Sequence, residues 1–135
     1  MKIGVMAKAT GTSVETIRYY EREGLLPATA RSEGNFRVYT EAHVQRLGFI
    51  RHCRSLSLTL EEIRQLLRLK DSPGASCAEA NGLLAAHIAL VAERIHELQG
   101  LEQQLKSLQQ RCQGTRDAAH CGILNELSRR RSPDQ

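Results

Sequence analysis

One pattern constrains the fold of this chain more than any other, a row of apolar residues at helical spacing in its C-terminal half. The row occupies eight positions separated by three or four residues: Leu84, Ile88, Val91, Ile95, Leu98, Leu101, Leu105 and Leu108. This spacing is typical of the contact seam of a coiled coil. A helix from about Ala78 to Arg111 would measure about 50 Å at ~1.5 Å per residue, too long for one small domain to cover. We therefore expect the seam to pack against the same helix of a second copy; the alternative is a helix that folds back on its own domain.

Charge separates the chain into two halves. Residues 1–70 contain 12 Lys and Arg against 7 Asp and Glu, whereas residues 71–135 contain 7 against 8. A basic half joined to a nearly neutral half is typical of a nucleic-acid-binding domain with a separate region for partners; the alternative is a basic protein without such a ligand. No run approaches the roughly 20 apolar residues of a membrane span, and the first residues lack the apolar stretch of a secretion signal, so we expect a cytoplasmic protein.

The start of the chain has the spacing of a helix-turn-helix. The segment Ile3–Thr10 predicts a short helix, Gly11 interrupts it, and the capping box Thr12–Glu15 opens a second helix through about Glu23. So short a connection needs a small contact residue and a turn that accepts positive φ, which Ala7 and Gly11 supply. An ordinary helical hairpin is the alternative.

The exposed face of this second helix carries groups that suit a nucleic-acid groove. Arg18, Tyr19 and Arg22 recur at spacings of three and four and therefore share a face. Arginine binds guanine edges or phosphates with its planar fork, and tyrosine hydroxyls reach phosphate oxygens. A solvated helix face would explain the charges but leaves the adjacent tyrosines unexplained. The candidate DNA contacts on this helix are Thr16, Arg18, Tyr19, Tyr20 and Arg22.

A turn signal followed by alternating residues predicts a β-hairpin wing between Arg31 and Tyr39. The turn lies around Glu33-Gly34-Asn35. On its second strand Phe36 and Val38 should point one way and Asn35, Arg37 and Tyr39 the other, so that one face packs and the other meets a sugar-phosphate backbone. The candidate DNA contacts on the wing are Arg31, Asn35, Arg37 and Tyr39.

Two more helices are predicted to complete the N-terminal domain. The third runs from about Glu41 to Leu56, and the fourth runs from Leu60 to Leu69 after the capping box that starts at Thr59. The expected aliphatic core consists of Val44, Leu47, Ile50, Ile63, Leu66 and Leu67. Cys53 shares the inward face of the third helix, and we expect it to be a core thiol.

Four stretches resemble the DNA-binding domain of the MerR family of transcription regulators. They are Glu15–Glu21 (ETIRYYE), Gly24–Pro27 (GLLP), Gly34–Tyr39 (GNFRVY) and Phe49–Leu56 (FIRHCRSL). The resemblance implies a winged-helix homodimer that binds the spacer between two promoter elements. When its effector binds, such a protein distorts the promoter DNA so that RNA polymerase engages both elements.

Three cysteines lie at the ends of the long predicted helix. Cys77 is at its start, Cys112 is where it ends, and Cys121 follows nine residues later, after a segment that lacks helical periodicity. Backbone N–H groups at a helix start favour a thiolate, and three thiolates prefer soft ions to magnesium, calcium or manganese. Structural zinc usually takes four ligands, so three thiolates without an obvious fourth ligand argue against a structural zinc site. The alternatives are ordinary small residues, or a thiol-based metal carrier or redox protein, although a C-x-x-C pair is absent.

The same resemblance extends to the cysteines. A Cys at the position of Cys77 is similar to the divalent-metal sensors of the family, and the stretches around Cys121 and Cys53 resemble its cadmium- and lead-responsive branch. The implied effector is Cd²⁺ or Pb²⁺, with Hg²⁺ and Zn²⁺ left open. His120, adjacent to Cys121, is an additional candidate ligand.

These expectations combine into one architecture, a mostly α-helical, non-enzymatic regulator. A winged helix-turn-helix domain (1–70) is followed by a hinge (71–79), an antiparallel coiled-coil dimerisation helix (80–111) and a short metal-binding loop and helix (112–135). Cys77 and Cys112 are 35 residues apart, roughly 50 Å along a straight helix. We therefore expect each ion to be held by Cys77 of one subunit and by Cys112 and Cys121 of the other.

Overall fold

The computed structural model describes residues 1–27, 29–31, 33–34, 37–112, 114 and 117–129, and helices dominate them. The elements are α1 (Ile3–Thr10), α2 (Val14–Arg22), β1 (Ala30–Arg31), β2 (Arg37–Val38), α3 (Glu41–Ser55), α4 (Leu60–Lys70), α5 (Cys77–Gln109), a single 3₁₀ turn (Ala118–His120) and α6 (Gly122–Leu127). The chain divides into two compact units, Met1–Leu84 and Ala85–Gln135.

The first two helices form the predicted helix-turn-helix, with a different cap. Gly11 adopts a left-handed conformation (φ 67°), which ends α1 within a single turn. The cap of α2 is Ser13, whose Oγ accepts a hydrogen bond from the backbone N–H of Thr16 at 3.1 Å. The capping box predicted from Thr12 to Glu15 is therefore wrong by one residue. Thr12 belongs to the turn instead, where its backbone N–H donates to the carbonyl of Ala7.

The predicted wing is a short antiparallel hairpin. Ala30 pairs with Val38 and Arg31 pairs with Arg37. Three residues of the predicted wing, Ser32, Asn35 and Phe36, lie outside the described part of the chain, as does the side chain of Arg37.

The core of the first unit is aliphatic. Leu47 and Ile50 of α3 and Ile63 and Leu67 of α4 are buried as predicted. The predicted core residues Val44 and Leu66 are only partly buried and pack around its edge. Other buried side chains come from the first helices, the loop after α2 and the turn between α3 and α4: Met6, Ile17, Leu25, Leu26 and Leu58.

Side-chain caps explain where α3 and α4 begin. Thr40 and His43 form a reciprocal capping pair at the start of α3. At the start of α4, the predicted box is confirmed, because Thr59 Oγ1 accepts from the N–H of Glu62 at 3.1 Å and Glu62 accepts from the N–H of Thr59 at 2.8 Å. Both helices therefore begin where the sequence predicted.

The second unit contains most of α5 and the short α6. Along α5 no described residue is buried, and seven of the eight seam positions are about half exposed, from 42% at Val91 to 66% at Ile88, whereas Leu108 is partly buried. The helix begins at Cys77, one residue before the predicted start, and ends at Gln109, two residues before the predicted end. Among the described residues, no helix is both long and apolar enough to cross a membrane.

Candidate nucleic-acid interface and metal centre

The outer face of α2 carries most of the candidate DNA contacts. Ile17 is fully buried, and this fixes which side of α2 turns inward. Arg18 and Arg22 are exposed on the opposite side, and Tyr19 is half-buried. Tyr20 is also half-buried and packs against the core. The structure therefore presents a basic and phenolic face, as the sequence predicted.

The two tyrosines of α2 support one another. Their rings meet edge to face with centroids 5.8 Å apart, a favourable aromatic geometry. Thr16 stands one turn before Tyr20 and accepts a hydrogen bond from Ser13 Oγ at 2.8 Å. These contacts hold the N-terminal half of the face in place before any ligand arrives.

Tyr39 was predicted to point outward from the wing, and that prediction is wrong. Its side chain is only 1% exposed, and its hydroxyl donates a hydrogen bond to the carboxylate of Glu21 on α2. Its ring also meets the imidazole of His43 edge to face at 5.4 Å. The alternation of a strand does not extend to Tyr39, because β2 ends at Val38 and the large ring gains more from burial than from solvent.

Tyr39 therefore links three parts of the first unit through hydrogen bonds. Its backbone N–H donates to the carbonyl of Met1 at 2.7 Å, and the terminal ammonium of Met1 donates back to the carbonyl of Tyr39 at 2.6 Å. Together with the bond to Glu21, these contacts connect the end of the wing to α2 and to the chain start. On the wing itself, Arg31 is exposed and remains a candidate contact.

Two arginines that the sequence patterns did not single out hold the loop after α2. Arg46 donates through Nε to the carbonyl of Leu25 at 2.9 Å and forms a two-pronged ion pair with Asp71 at 3.0 and 3.1 Å. The hydrogen bond from Arg46 lowers the pKa of Asp71 below its ordinary value, helped by the charges of Arg46 and Lys70. Arg64 binds the carbonyl and carboxylate of Glu23. These contacts join residues 25 and 41 positions apart, so no local signal predicts them.

All four cysteines are free thiols, but they occupy two different environments. Cys53 is only 7% exposed, and burial raises the pKa of its thiol, so it is the predicted core residue. Cys77 is the first residue of α5 and is exposed. Cys112 is exposed just beyond the end of α5, and Cys121 is partly exposed at the cap of α6.

Within the second unit, the fold brings the segments of Cys112 and Cys121 together. A Cβ atom placed on Gly122 would lie 2.1 Å from the carbonyl oxygen of Arg111. Arg111 immediately precedes Cys112, and Gly122 immediately follows Cys121, so the backbones next to the two thiols are in contact. Glu126 of α6 reinforces this approach through an ion pair with Arg111 at 3.3 Å.

The turn between these thiols orients His120. Asp117 caps the turn by accepting from the backbone N–H of His120 at 3.1 Å, and its Oδ1 also contacts Nδ1 of the His120 ring at 2.5 Å. This is the arrangement in which a carboxylate fixes one ring nitrogen and leaves Nε2 for a metal ion. Both side chains are exposed.

One chain does not by itself assemble a metal site from its described residues. No three His, Cys, Asp or Glu side chains within residues 1–27, 29–31, 33–34, 37–112, 114 and 117–129 are grouped so that they could hold an ion. The donors nevertheless suit a soft ion, because three accessible thiols lie at the two ends of α5 and at the start of α6.

Comparisons with known proteins identify the family to which the chain is similar. Residues 1–70 match the family described as MerR HTH family regulatory protein, and residues 44–108 match a family described as MerR, DNA binding. The chain is 50% identical over 111 residues to the HTH-type transcriptional regulator ZntR homolog of Haemophilus influenzae, which is 82% of this chain and 82% of that protein. Among solved structures, it resembles the transcription regulator PbrR691 from Ralstonia metallidurans CH34 in complex with lead(II), at 52% identity and a TM-score of 0.86 over 95% of this chain and 99% of that one. It also resembles MerR from Bacillus megaterium MB1 in complex with mercury(II), at 32% identity and a TM-score of 0.74 over 96% of this chain and 100% of that one.

Proposed function

The chain belongs to the MerR family of helix-turn-helix regulatory proteins, and on that basis we propose that it is a metal-responsive activator that binds promoter DNA as a homodimer. A soft divalent ion is the signal, and the three cysteines Cys77, Cys112 and Cys121 are its ligands. The role is regulatory rather than catalytic, and we expect the protein to act in the cytoplasm, where promoter DNA and RNA polymerase are found.

The exposed apolar seam of α5 is the observation that carries this proposal. Seven of its eight leucine, isoleucine and valine side chains stay about half exposed when the chain is taken alone, and all eight recur at coiled-coil spacing. A second copy of the chain carries the same apolar face on its own α5, so the two faces can pack together. Twofold symmetry then duplicates α2 for two DNA half-sites. An antiparallel pair places the start of each α5 beside the end of the other.

The antiparallel pair also completes the metal site. Within one chain, α5 has 33 residues, about 50 Å at ~1.5 Å per residue, between Cys77 and the segment of Cys112. In the dimer, Cys77 of one subunit adjoins Cys112 and Cys121 of the other. Three thiolates favour Cd²⁺ or Pb²⁺, and Hg²⁺ and Zn²⁺ are further candidates because thiolates accept all four ions. The lead(II) and mercury(II) complexes of two similar proteins support this ion class.

On the DNA, we assign α2 to the major groove and the wing to the sugar-phosphate backbone. Arg18 and Arg22 are exposed on α2, where arginine binds guanine edges or phosphates. The other proposed contacts are Thr16, Tyr19, Tyr20, Arg31, Asn35 and Arg37. Tyr39 is removed from this set because it is buried. An ion that binds one dimer conformation better than another shifts the equilibrium between them, and we propose that the favoured conformation distorts the promoter for RNA polymerase.

Metal titration of the reduced protein, followed by transcription from the bound promoter, tests this function. We expect sulfur-to-metal charge-transfer absorption to saturate at about one ion per subunit, with transcription rising at the same ratio. Cys53→Ala is the matched control, because it removes a buried thiol and should leave the stoichiometry unchanged. If metal released the protein from DNA without activating transcription, the proposed mechanism would be wrong. Tight metal binding without any DNA binding would instead indicate a metal carrier.

A further inference from the structure

We infer that the turn before α2, the start of α2 and the end of α3 form a pocket that binds one backbone phosphate of the DNA. The inference rests on the proposed DNA-binding function and extends it to three residues that are not among the predicted DNA contacts, Thr12, Arg51 and Arg54. The pocket lies beside the proposed recognition face of α2, and it would contact the sugar-phosphate backbone that borders the major groove rather than the bases within it.

The pocket is an open cavity of about 270 Å³ in the first unit. It is lined by the Gly11–Ser13 turn, by Thr16 and Tyr20 of α2, and by Arg51 and Arg54 of α3. The two arginines carry positive charges, and the four residues Thr12, Ser13, Thr16 and Tyr20 carry hydroxyl groups. None of the lining residues is acidic. A single water molecule occupies roughly 30 Å³ in the liquid, so the space accommodates a much larger polar group. The composition suits an oxyanion.

Thr12 supplies the observation that points to a ligand. Its side chain is only 8% exposed, and its Oγ1 is buried with no hydrogen-bond partner in the described part of the chain. Buried hydroxyls are nearly always paired, because an unpaired one loses its hydration without compensation. A phosphate oxygen in the pocket would accept the hydrogen bond that Thr12 now lacks.

The start of α2 adds the electrostatic field of a helix N-terminus. The first backbone N–H groups of a helix have no carbonyl acceptor within it, and they attract anions. The Ser13 cap occupies one of these N–H groups, that of Thr16, and leaves the other N–H groups at the start of α2 available to an anion. α2 has nine residues, enough for its peptide dipoles to add.

Both arginines are held at the pocket by one part of their guanidinium groups. Arg51 donates through Nη1 to the carbonyl of Thr10. This Nη1 atom lies 3.6 Å from the position that a Cβ atom on Gly11 would occupy. Arg54 donates through Nη1 to the carbonyl of Leu58 at 3.0 Å. A guanidinium has five N–H donors, so each anchored group keeps donors for a phosphate.

Its position favours the DNA backbone as the source of the phosphate. The pocket shares Thr16 and Tyr20 with the proposed recognition face of α2. Helix-turn-helix proteins place the recognition helix in the major groove with phosphates on either side of it, and contacts to those phosphates fix the register of the protein on the duplex. A group bound at this pocket would therefore lie on the groove wall, where a phosphate is present in every sequence.

The test uses a duplex selected by the wild-type full-length protein from a random library. Affinity is then measured for the wild type, Arg54→Gln and Thr12→Val over a range of salt concentrations. We expect Arg54→Gln to reduce the slope of log affinity against log salt by about one, the effect of losing one phosphate contact. Thr12→Val keeps the shape and charge of the site, so we expect an unchanged slope with affinity lowered ~5-fold.

Matched measurements separate a phosphate contact from a structural role. Thr12→Val should melt no lower than the wild type, because it replaces an unpaired buried hydroxyl by a methyl group. Arg68→Gln removes an exposed charge on α4 outside the pocket and should leave both affinity and slope unchanged. If Arg54→Gln and Thr12→Val bind the selected duplex as the wild type does, the phosphate pocket is overturned while the proposed function stands.

Two further outcomes are also decisive. If inorganic phosphate, compared with chloride at equal ionic strength, stabilises the wild type but not Arg54→Gln while both bind DNA equally, the pocket holds a free anion and our assignment is wrong. If the wild type selects no duplex at all, the proposed function fails, and the phosphate pocket fails with it.

Discussion

The two units of the chain differ in where their apolar side chains lie. In Met1–Leu84, eleven apolar residues from four helices, the adjoining loops and the end of the wing form one buried cluster. In the described part of Ala85–Gln135, no residue is buried, and large apolar side chains such as Leu98 and Leu105 are half exposed or more. The first unit therefore has the contacts that a stable domain needs, whereas the second needs a partner for its apolar face.

The functional groups follow the same division. In the first unit, the recognition helix is held by contacts within the chain: the Ser13 cap, the buried Ile17 and the bond from Tyr39 to Glu21. In the second unit, the backbones next to Cys112 and Cys121 are in contact, but the described residues include no group of three potential metal ligands. The face of α2 is therefore formed within one chain, whereas the metal site that we propose needs a second copy.

Shortening a leucine in each unit should give the largest effects. The variant in the first unit should lose folding stability, whereas the variant in the second unit should lose dimer affinity. Leu47→Ala removes a fully buried side chain and should lower the free energy of unfolding by ~2–5 kcal/mol, measured by urea unfolding followed by circular dichroism. Leu98→Ala removes a half-exposed seam residue. It should raise the dimer dissociation constant about tenfold or more in sedimentation experiments, because each dimer loses two side chains from one interface.

The control for this pair is Gln99→Ala, which lies beside the seam on an exposed position of α5. It should change neither quantity. A Leu98→Ala protein with an unchanged dimer dissociation constant would show that the seam is not the interface, and the contrast between the two units would lose its main support.

The close approach of the cysteine segments gives the next largest effect. Gly122→Ala would place a methyl group 2.1 Å from the carbonyl oxygen of Arg111, and a backbone atom cannot move aside as a flexible side chain can. We expect α6 to shift and metal affinity to fall ~10–100-fold, as when the supports of a metal ligand are removed. Gly82→Ala, which meets nothing within 4 Å, is the control. Equal metal affinity in the two variants would mean that the ligands do not depend on this contact.

The burial of Tyr39 predicts a smaller effect that separates stability from DNA binding. Tyr39→Phe removes the hydroxyl bound to Glu21 and should cost ~1–2 kcal/mol of unfolding free energy, with no change in the affinity for DNA. Tyr19→Phe, at a half-buried position of the proposed DNA-binding face, should weaken DNA binding and leave the unfolding free energy unchanged. Weaker DNA binding by Tyr39→Phe at unchanged stability would restore Tyr39 to the interface.

The ion pair between Arg46 and Asp71 predicts the smallest effect, a pH dependence confined to the acid side. Because the pKa of Asp71 is lowered in the folded protein, the pair stabilises the fold above the ordinary aspartate pKa of about 3.9 and loses this effect as the pH falls through the folded value. The melting temperature of Asp71→Asn should be slightly below that of the wild type at pH 7, and the gap should close below about pH 4. A gap that stays constant from pH 7 to pH 3 would contradict this assignment.

Local signals predicted most of the first unit and the general architecture. The spacing of Ala7 and Gly11 predicted the helix-turn-helix, and the capping box at Thr59 predicted the start of α4. The seam predicted α5 to within two residues at each end. Each of these signals lies within a few residues of the structure that it specifies, so a single sequence is enough to read it.

What could not be predicted depends on contacts between distant residues. Tyr39 faces inward because Glu21 and His43 are beside it, and its pattern on the strand pointed the other way. Ser13 rather than Thr12 caps α2, and the two are chemically equivalent candidates in the sequence. The pocket formed by Thr12, Arg51 and Arg54 joins segments about 40 residues apart. The third metal ligand is harder still, because it is proposed to come from another chain.

A metal-binding measurement on mixed dimers tests the contrast between the two units most directly. Cys77→Ser and Cys112→Ser homodimers each lack one ligand type in both sites and should bind Cd²⁺ weakly. A verified heterodimer of the two has one site with all three cysteines only if the ligands cross the interface, so we expect it to recover about one tight site per dimer, half the wild-type number. Heterodimers that bind Cd²⁺ no better than either homodimer would contradict the shared site.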